Sequence, residues 1–264
     1  MTLQNLLGKN YKWWYLFTHS FKSASAYRWS TMSWVFSRLF AMLITIYIWK
    51  LTIDSGSNLF KFSEIFTYYI IGGMLSFHNG INYNIANSIK TGGLTTKQLR
   101  PSSVWLTTIF QDTGWQSFTI LIEAGILIII GLIGKDYLIM PSIQIGLLAI
   151  LLFVLGAIIK MYINLMAGML AFFMTDAWGF MDFIAQLNWG LSGKAIPLNV
   201  VSGILLYTPF AFFYHHLMRM YLGRYNSNES VIFFVASIIM IGILHILTSI
   251  VWRLGLKRNE AVGL

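Results

Sequence analysis

Residues 231–250 contain no lysine, arginine, aspartate or glutamate. As a helix rising about 1.5 Å per residue, that stretch alone crosses a hydrocarbon core of about 30 Å. A second block, residues 147–159, is equally free of charge. A large soluble core does not account for runs of this length, and with 57% hydrophobic and 10% charged residues the chain reads as an all-α membrane protein. The net charge of +9 is carried in short patches beside apolar blocks, the pattern of loops retained in the cytosol rather than of a nucleic-acid surface. No nucleic-acid partner is expected. The absence of cysteine removes disulfides, thiol nucleophiles and cysteine-ligated metal.

The clearest orientation signal lies in residues 88–101, SIKTGGLTTKQLRP. Lys90, Lys97 and Arg100 have no acidic counterweight there, which places the loop in the cytoplasm. Gly92-Gly93 breaks any helix leaving the preceding apolar block. Residues 1–28 read as an interfacial amphipathic helix and not as a cleavable signal peptide: Trp13, Trp14 and Phe17 are interleaved with Lys9, Lys12 and Lys22, so aromatics can dip into the headgroup layer while lysines snorkel out.

Six transmembrane helices are expected. The first covers residues 30–53, the second 62–84, the third 104–133 and the last 230–252. Residues 138–173 are apolar throughout and are read as one crossing that emerges near Lys160 and continues on the cytoplasmic side to Thr175-Asp176. Those two residues suit the N-cap of a short fifth span over 177–191, which surfaces at Ser192-Gly193-Lys194. Residues 195–229 are irregular. Pro197 and Pro209 bracket pieces too short to span, so two short re-entrant helices in the outer leaflet are expected before the last span. About eleven of the eighteen lysines and arginines then face the cytosol, with both termini inside.

The order of short motifs resembles the permease subunits of type-2 ATP-binding-cassette (ABC) exporters, in particular a bacterial subfamily of six-helix permeases. Ala26-Tyr27-Arg28 precedes the first span, and Gly92-Gly93-Leu94 with Leu99-Arg100-Pro101 follows the second. Ser192-Gly193 and Ile196-Pro197-Leu198 follow the fifth, with Pro209-Phe210 and Leu222-Gly223 beyond it, and Arg253-Leu254-Gly255-Leu256-Lys257-Arg258 with Gly263 closes the chain. The resemblance spans nearly the whole length, residues 1–264 forming a single transmembrane domain. It implies a dimer of permeases, with a copy or a relative, seated on two ATPase subunits in the bacterial inner membrane and surrounded by lipid. It also implies that Lys90, Gly92, Gly93, Leu94, Lys97, Leu99, Arg100 and Pro101 form the coupling segment docked on the ATPase. Ser192, Gly193, Pro197 and Pro209 belong to the external gate. Lys194 departs from the pattern, since related chains more often carry an uncharged residue there.

The residues agree on energy supply. No G-x-x-x-x-G-K-[ST] loop occurs, for Gly193-Lys194 is followed by Ala195. No cofactor is expected in this chain; ATP and Mg belong to the partner subunit. On the third span, Thr108, Asp112, Gln116, Thr119 and Glu123 fall within about 40° of one line at 100° per residue. That stripe either faces the translocation path or dimer seam, or its carboxylates pair with Arg38, His78 or a neighbouring helix; pairing is the preferred reading. His215-His216 is a weak metal lookalike, and His245 reads as a satisfied packing residue. Two other classes remain. A stand-alone secondary transporter or channel would favour internal repeats, and a membrane-embedded lipid-modifying enzyme would need a catalytic cluster that five scattered histidines do not make.

Overall fold

A computed structural model describes residues 11–56, 59–75, 80–99, 102–198 and 203–258. Of the segments singled out above, residues 1–10, His78, Arg100, Pro101, residues 199–202 and Gly263 lie outside that set. The described residues form helices and no strand. In chain order the α-helices are α1 Tyr11–Ala26, α2 Arg28–Asp54, α3 Phe62–Met74, α4 Ile81–Lys90, α5 Gly93–Gln98, α6 Val104–Ile133, α7 Ile143–Met169, α8 Trp178–Leu191, α9 His215–Tyr221 and α10 Ser227–Arg258. Four helical segments, α2, α6, α10 and α7 with its 3-10 extension Leu170–Phe172, are long and apolar enough to cross a membrane. Their large exposed residues, such as Trp34, Phe40, Ile129 and Ile239, suit lipid rather than water.

The helix ends follow from local chemistry. The Ser103 hydroxyl accepts the Leu106 N–H at the start of α6, and Ser142 caps α7 in the same way. Asp176 accepts the Trp178 N–H at 3.0 Å at the start of α8, although the N-cap is Ala177 and the helix begins one residue later than expected.

Three features differ from the expected layout. The second crossing is not one helix: α3 stops at Met74 and α4 restarts at Ile81. Second, α7 runs unbroken past Lys160 as expected, but Lys160 does not emerge: its ammonium lies 5.3 Å from the Phe213 ring. Lys160 therefore marks no exit from the bundle, because the aromatic 3-10 segment Pro209–Phe213 covers that face of α7. Third, α8 has 14 residues, about 21 Å at 1.5 Å per residue. The turn after it ends among buried tyrosines instead of surfacing, with Ser192 fully buried.

The core has two principal parts. One joins Val35, Ile65, Tyr68, Leu127, Ile159 and Tyr214. The other joins Ile85, Leu94, Leu165, Phe172 and Met181 around α4 and α5. Helix α1 lies along α6, where Trp13 stacks on Phe110 and Phe21 meets Phe118 edge-on. Gly114 permits this approach, since a side chain there would collide with the Phe17 carbonyl. The opposite face of α1 leaves Trp14 and Tyr15 exposed, in keeping with an interfacial position.

Candidate functional site

At the end of α4 the chain reverses at Gly92, whose φ of +71° is left-handed and suits glycine. Gly93 is already the first residue of α5. The two glycines thus have separate tasks. Leu94 is fully buried in the core, whereas Leu99 is 83% exposed, so α5 is anchored by one leucine and presents the other. Lys97 donates to the Ser88 hydroxyl at 2.8 Å, and the Lys90 ammonium lies 3.8 Å from Asp176. Tyr83 of α4 donates to Asp182 and stacks on Trp178. These contacts tie α4 and α5 to the start of α8.

The polar stripe of α6 splits between two environments. Its N-terminal half meets the junction between α3 and α4. Asp112 accepts the Gly80 N–H at 3.0 Å and the Asn84 amide at 3.4 Å, and Gln116 adds a hydrogen bond to the same carboxylate. Asp112 thereby supplies a partner for an otherwise orphan donor at the start of α4. Thr108 is spent inside its own helix, donating to the Val104 carbonyl. Thr119 lines a cleft with Thr31, Trp34 and Trp115.

The C-terminal half of the stripe enters a cluster of charge. Arg38 Nη2 of α2 lies 3.2 Å from Glu123 Oε2. The Lys194 ammonium lies 5.6 Å from the Tyr214 ring and that of Lys160 5.3 Å from the Phe213 ring. Arg38, Glu123, Lys194, Tyr69, Trp189 and Tyr214 line one cavity of about 150 Å³.

The turn after α8 is held over this cavity by backbone acceptors. Tyr68 donates to the Gly193 carbonyl at 2.8 Å, and Tyr69 to Ala195 at 3.1 Å. Gly193 has φ +89°, and a side chain there would meet the Tyr68 hydroxyl. Ser192 accepts the Lys194 N–H through its hydroxyl and the His215 N–H through its carbonyl. Tyr214 donates to the Tyr68 carbonyl at 3.2 Å, their rings 5.2 Å apart. Beyond the tyrosines lies a second cavity of about 320 Å³, lined by Tyr68, Pro197, Glu64, Arg219 and Arg224, with Glu64 paired to Arg224. Ser192, Gly193 and Pro197 are therefore gathered at one partition. Pro209 stands apart at the head of the segment packed on α7, where Gly156 gives Phe213 room.

His216 and His245 have packing roles, whereas both ring nitrogens of His215 are buried without a hydrogen-bond partner. Both ring nitrogens of His216 have partners, Tyr225 and the Leu206 carbonyl. His245 meets the Tyr162 hydroxyl at 3.1 Å. No cluster of metal-ligating residues occurs among the described residues.

A family model described as "ABC-2 family transporter protein" matches residues 36–263. The chain belongs to the ABC-2 transporter family. No curated protein matches it. In an ABC-2 permease the work of ATP falls to an ATPase partner. Sequence reasoning placed the turn at Gly92-Gly93 and the α6 stripe. It missed that Lys160 of this ABC-2 permease stays inside the bundle and that Lys194 joins Arg38 and Glu123 around one cavity. A charge inside an apolar run was the available signal, but it reads equally well as a helix boundary.

Proposed function

We propose that the chain is the transmembrane permease subunit of an ATP-driven exporter, acting as a dimer with a copy or relative on two ATPase subunits. It carries amphipathic or hydrophobic cargo from the cytosol or inner leaflet of the bacterial inner membrane to the outside by alternating access. The four long helices, the interrupted α3–α4 crossing and the short α8 make up its six crossings, with both termini in the cytosol and 3-10 segments and α9 forming the outer gate. ATP and Mg are held by the partner.

The observation that carries this reading is the pairing of a buried Leu94 with a bare Leu99 on one six-residue helix. Thr96 and Gln98 are exposed beside Leu99, so α5 offers the partner a small mixed surface fixed to the bundle. Motion imposed on α5 passes to α4, from α4 through Asp112 to α6, and from Tyr83 and Lys90 to α8. These two helices carry Glu123 and the Lys194 turn, so the cavity and its outer partition move with the ATPase. Binding energy at α5 can shift the equilibrium only by its differential fit to the two states.

Co-purification of the native complex tests the reading. An ATPase subunit is expected with the tagged chain. The double substitution Leu99→Asp with Gln98→Ala is expected to abolish co-purification and coupled ATPase activity while leaving thermal unfolding of the isolated chain unchanged. Loss of neither would rule out α5 as the input.

A further inference from the structure

Helix α10 is apolar over most of its length, and its few polar residues are not scattered. Between residues 231 and 250 they are Ser237, His245, Thr248 and Ser249. The last three continue into Trp252 and Arg253 at the spacing i, i+3, i+4, i+7, i+8, which is one face of a helix. That face lines a cavity of about 390 Å³ whose other walls include Trp105 and Ile109 of α6 and Met161 and Leu165 of α7. From Arg253 to His245 the face runs about 12 Å at 1.5 Å per residue. At the Arg253 end the Trp105 and Trp252 rings bridge α6 to α10 at 4.9 Å, and Phe172 backs Trp252 at 5.8 Å. At the other end His245 is bonded to Tyr162. Thr248 stands between the two ends. It is buried, and its hydroxyl has no hydrogen-bond partner; it does not return to its own helix as Thr108 does. Among the described residues no carboxylate pairs with Arg253, which is exposed.

We propose that this groove holds an anionic glycerophospholipid of the surrounding bilayer, its phosphate on Arg253, an ester carbonyl on the Thr248 hydroxyl and an acyl chain along Ile109, Met161 and Leu165. Each part of the lipid meets the chemistry it needs. The guanidinium presents a planar pair of donors to phosphate oxygens, and basic clefts between transmembrane helices recognise lipid heads in this way. The two tryptophans mark the depth of the ester region, where amphipathic rings collect. A buried hydroxyl without a partner is costly in an apolar setting, and a lipid carbonyl offsets that cost. Lys257 and Arg258 follow on the last turn of α10, so the groove ends in a basic rim that disfavours a head carrying its own cation. The lipid would brace α6 against α10 beside the core that surrounds α4 and α5, to which Trp105 and Trp252 also belong. The proposal rests on the membrane-spanning helices and on no direction of transport.

The test is lipid binding to the purified full chain in a neutral detergent, read by native mass spectrometry. Phosphatidylglycerol and phosphatidylcholine with identical acyl chains serve as probes, and phosphatidylglycerol is expected to bind in preference. Arg253→Gln is expected to weaken it about tenfold, the scale of a lost hydrogen bond to a charged group. Lys257→Gln removes a charge from the same helix end outside the groove and should leave binding unchanged. Ser249→Phe fills the groove and should weaken both lipids. Equal binding of the two lipids, or equal losses from Arg253→Gln and Lys257→Gln, would reduce the effect to diffuse surface charge and overturn the proposal. Phosphatidylglycerol binding untouched by Ser249→Phe would overturn it as well, since no chain would then occupy the groove. Displacement of the lipid by millimolar inorganic phosphate would assign the site to a free anion instead. Co-purification with an ATPase is unaffected by any of these results, so this proposal and the exporter reading fail separately.

Discussion

The Asp112 carboxylate accepts the Gly80 N–H at 3.0 Å from a position 32 residues along the chain. The bond fixes where the helical path resumes after Met74 and ties α4 to α6. Asp112→Ala removes the acceptor and leaves the first turn of α4 uncapped. Its cost is expected to be about 1–2 kcal/mol, the scale of a lost N-cap. Asp112→Asn keeps an acceptor oxygen and is expected to cost less than half of that. Thermal unfolding of the purified chain in detergent separates the two, and an alanine variant that melts with the wild type would remove this role from Asp112.

The break after Met74 has a local signal: Asn79-Gly80, a turn dipeptide, stands directly ahead of Ile81. The apolar run of residues 62–75 draws the reading of one continuous span over it, and Gly72-Gly73 lies inside α3. The carboxylate that meets the Gly80 N–H comes from another helix, and no local pattern encodes that part of the restart. By contrast, α6 appears with the ends expected of it, because a thirty-residue, mostly apolar run behind a capping serine needs no tertiary help. Lys160 shows the opposite failure. A lysine in an apolar run reads as the end of a crossing, and only the packed ring of Phe213 reveals that it stays inside.

Gly92 and Gly93 look equivalent in sequence and are not equivalent in structure. Gly92 is left-handed, while a Cβ on Gly93 would come no nearer than 3.4 Å to any neighbour. Gly92→Ala is therefore expected to cost about 1 kcal/mol from the left-handed backbone alone. It should also lower coupled ATPase activity by tilting α5. Gly93→Ala should do neither. Equal effects of the two substitutions on coupling would show that the turn geometry is not what transmits motion.

Docking of α1 depends on Gly114. A leucine there would strike the Phe17 backbone, which cannot move aside as a flexible side chain can. The expected loss is about 1–3 kcal/mol for an overpacked contact. Because Trp13 and Phe21 would leave α6 together, amide exchange should rise across α1 and remain unchanged in α7. Exchange rising uniformly over the whole chain would contradict a local docking role.

The Arg38–Glu123 pair is the counterweight within the cationic cluster. Glu123→Leu leaves Arg38 without that carboxylate and is expected to destabilise by roughly 3 kcal/mol. Arg38 is itself partly exposed, which holds the cost to the low end for a broken pair. The double variant Arg38→Leu with Glu123→Leu removes one charge of each sign and should recover part of the loss. Strict additivity of the two single substitutions in a thermal unfolding cycle would mean the residues do not act as a pair.

Tyr68 and Tyr214 separate the two cavities, and the sequence supplies a clean way to time their opening. With no cysteine in the chain, Lys194→Cys places a single thiol in the inner cavity. Tyr68 holds the Gly193 carbonyl and Tyr214 holds the Tyr68 carbonyl. Tyr68→Phe and Tyr214→Phe each delete one such bond, worth about 1 kcal/mol, while keeping the ring. On that scale the double substitution shifts the closed-to-open balance by about 2 kcal/mol, on the order of thirtyfold in population if the two bonds act independently. A membrane-impermeant thiol reagent added from outside should modify the introduced cysteine faster by a comparable factor. Unchanged reactivity would mean that the outward route bypasses the tyrosines.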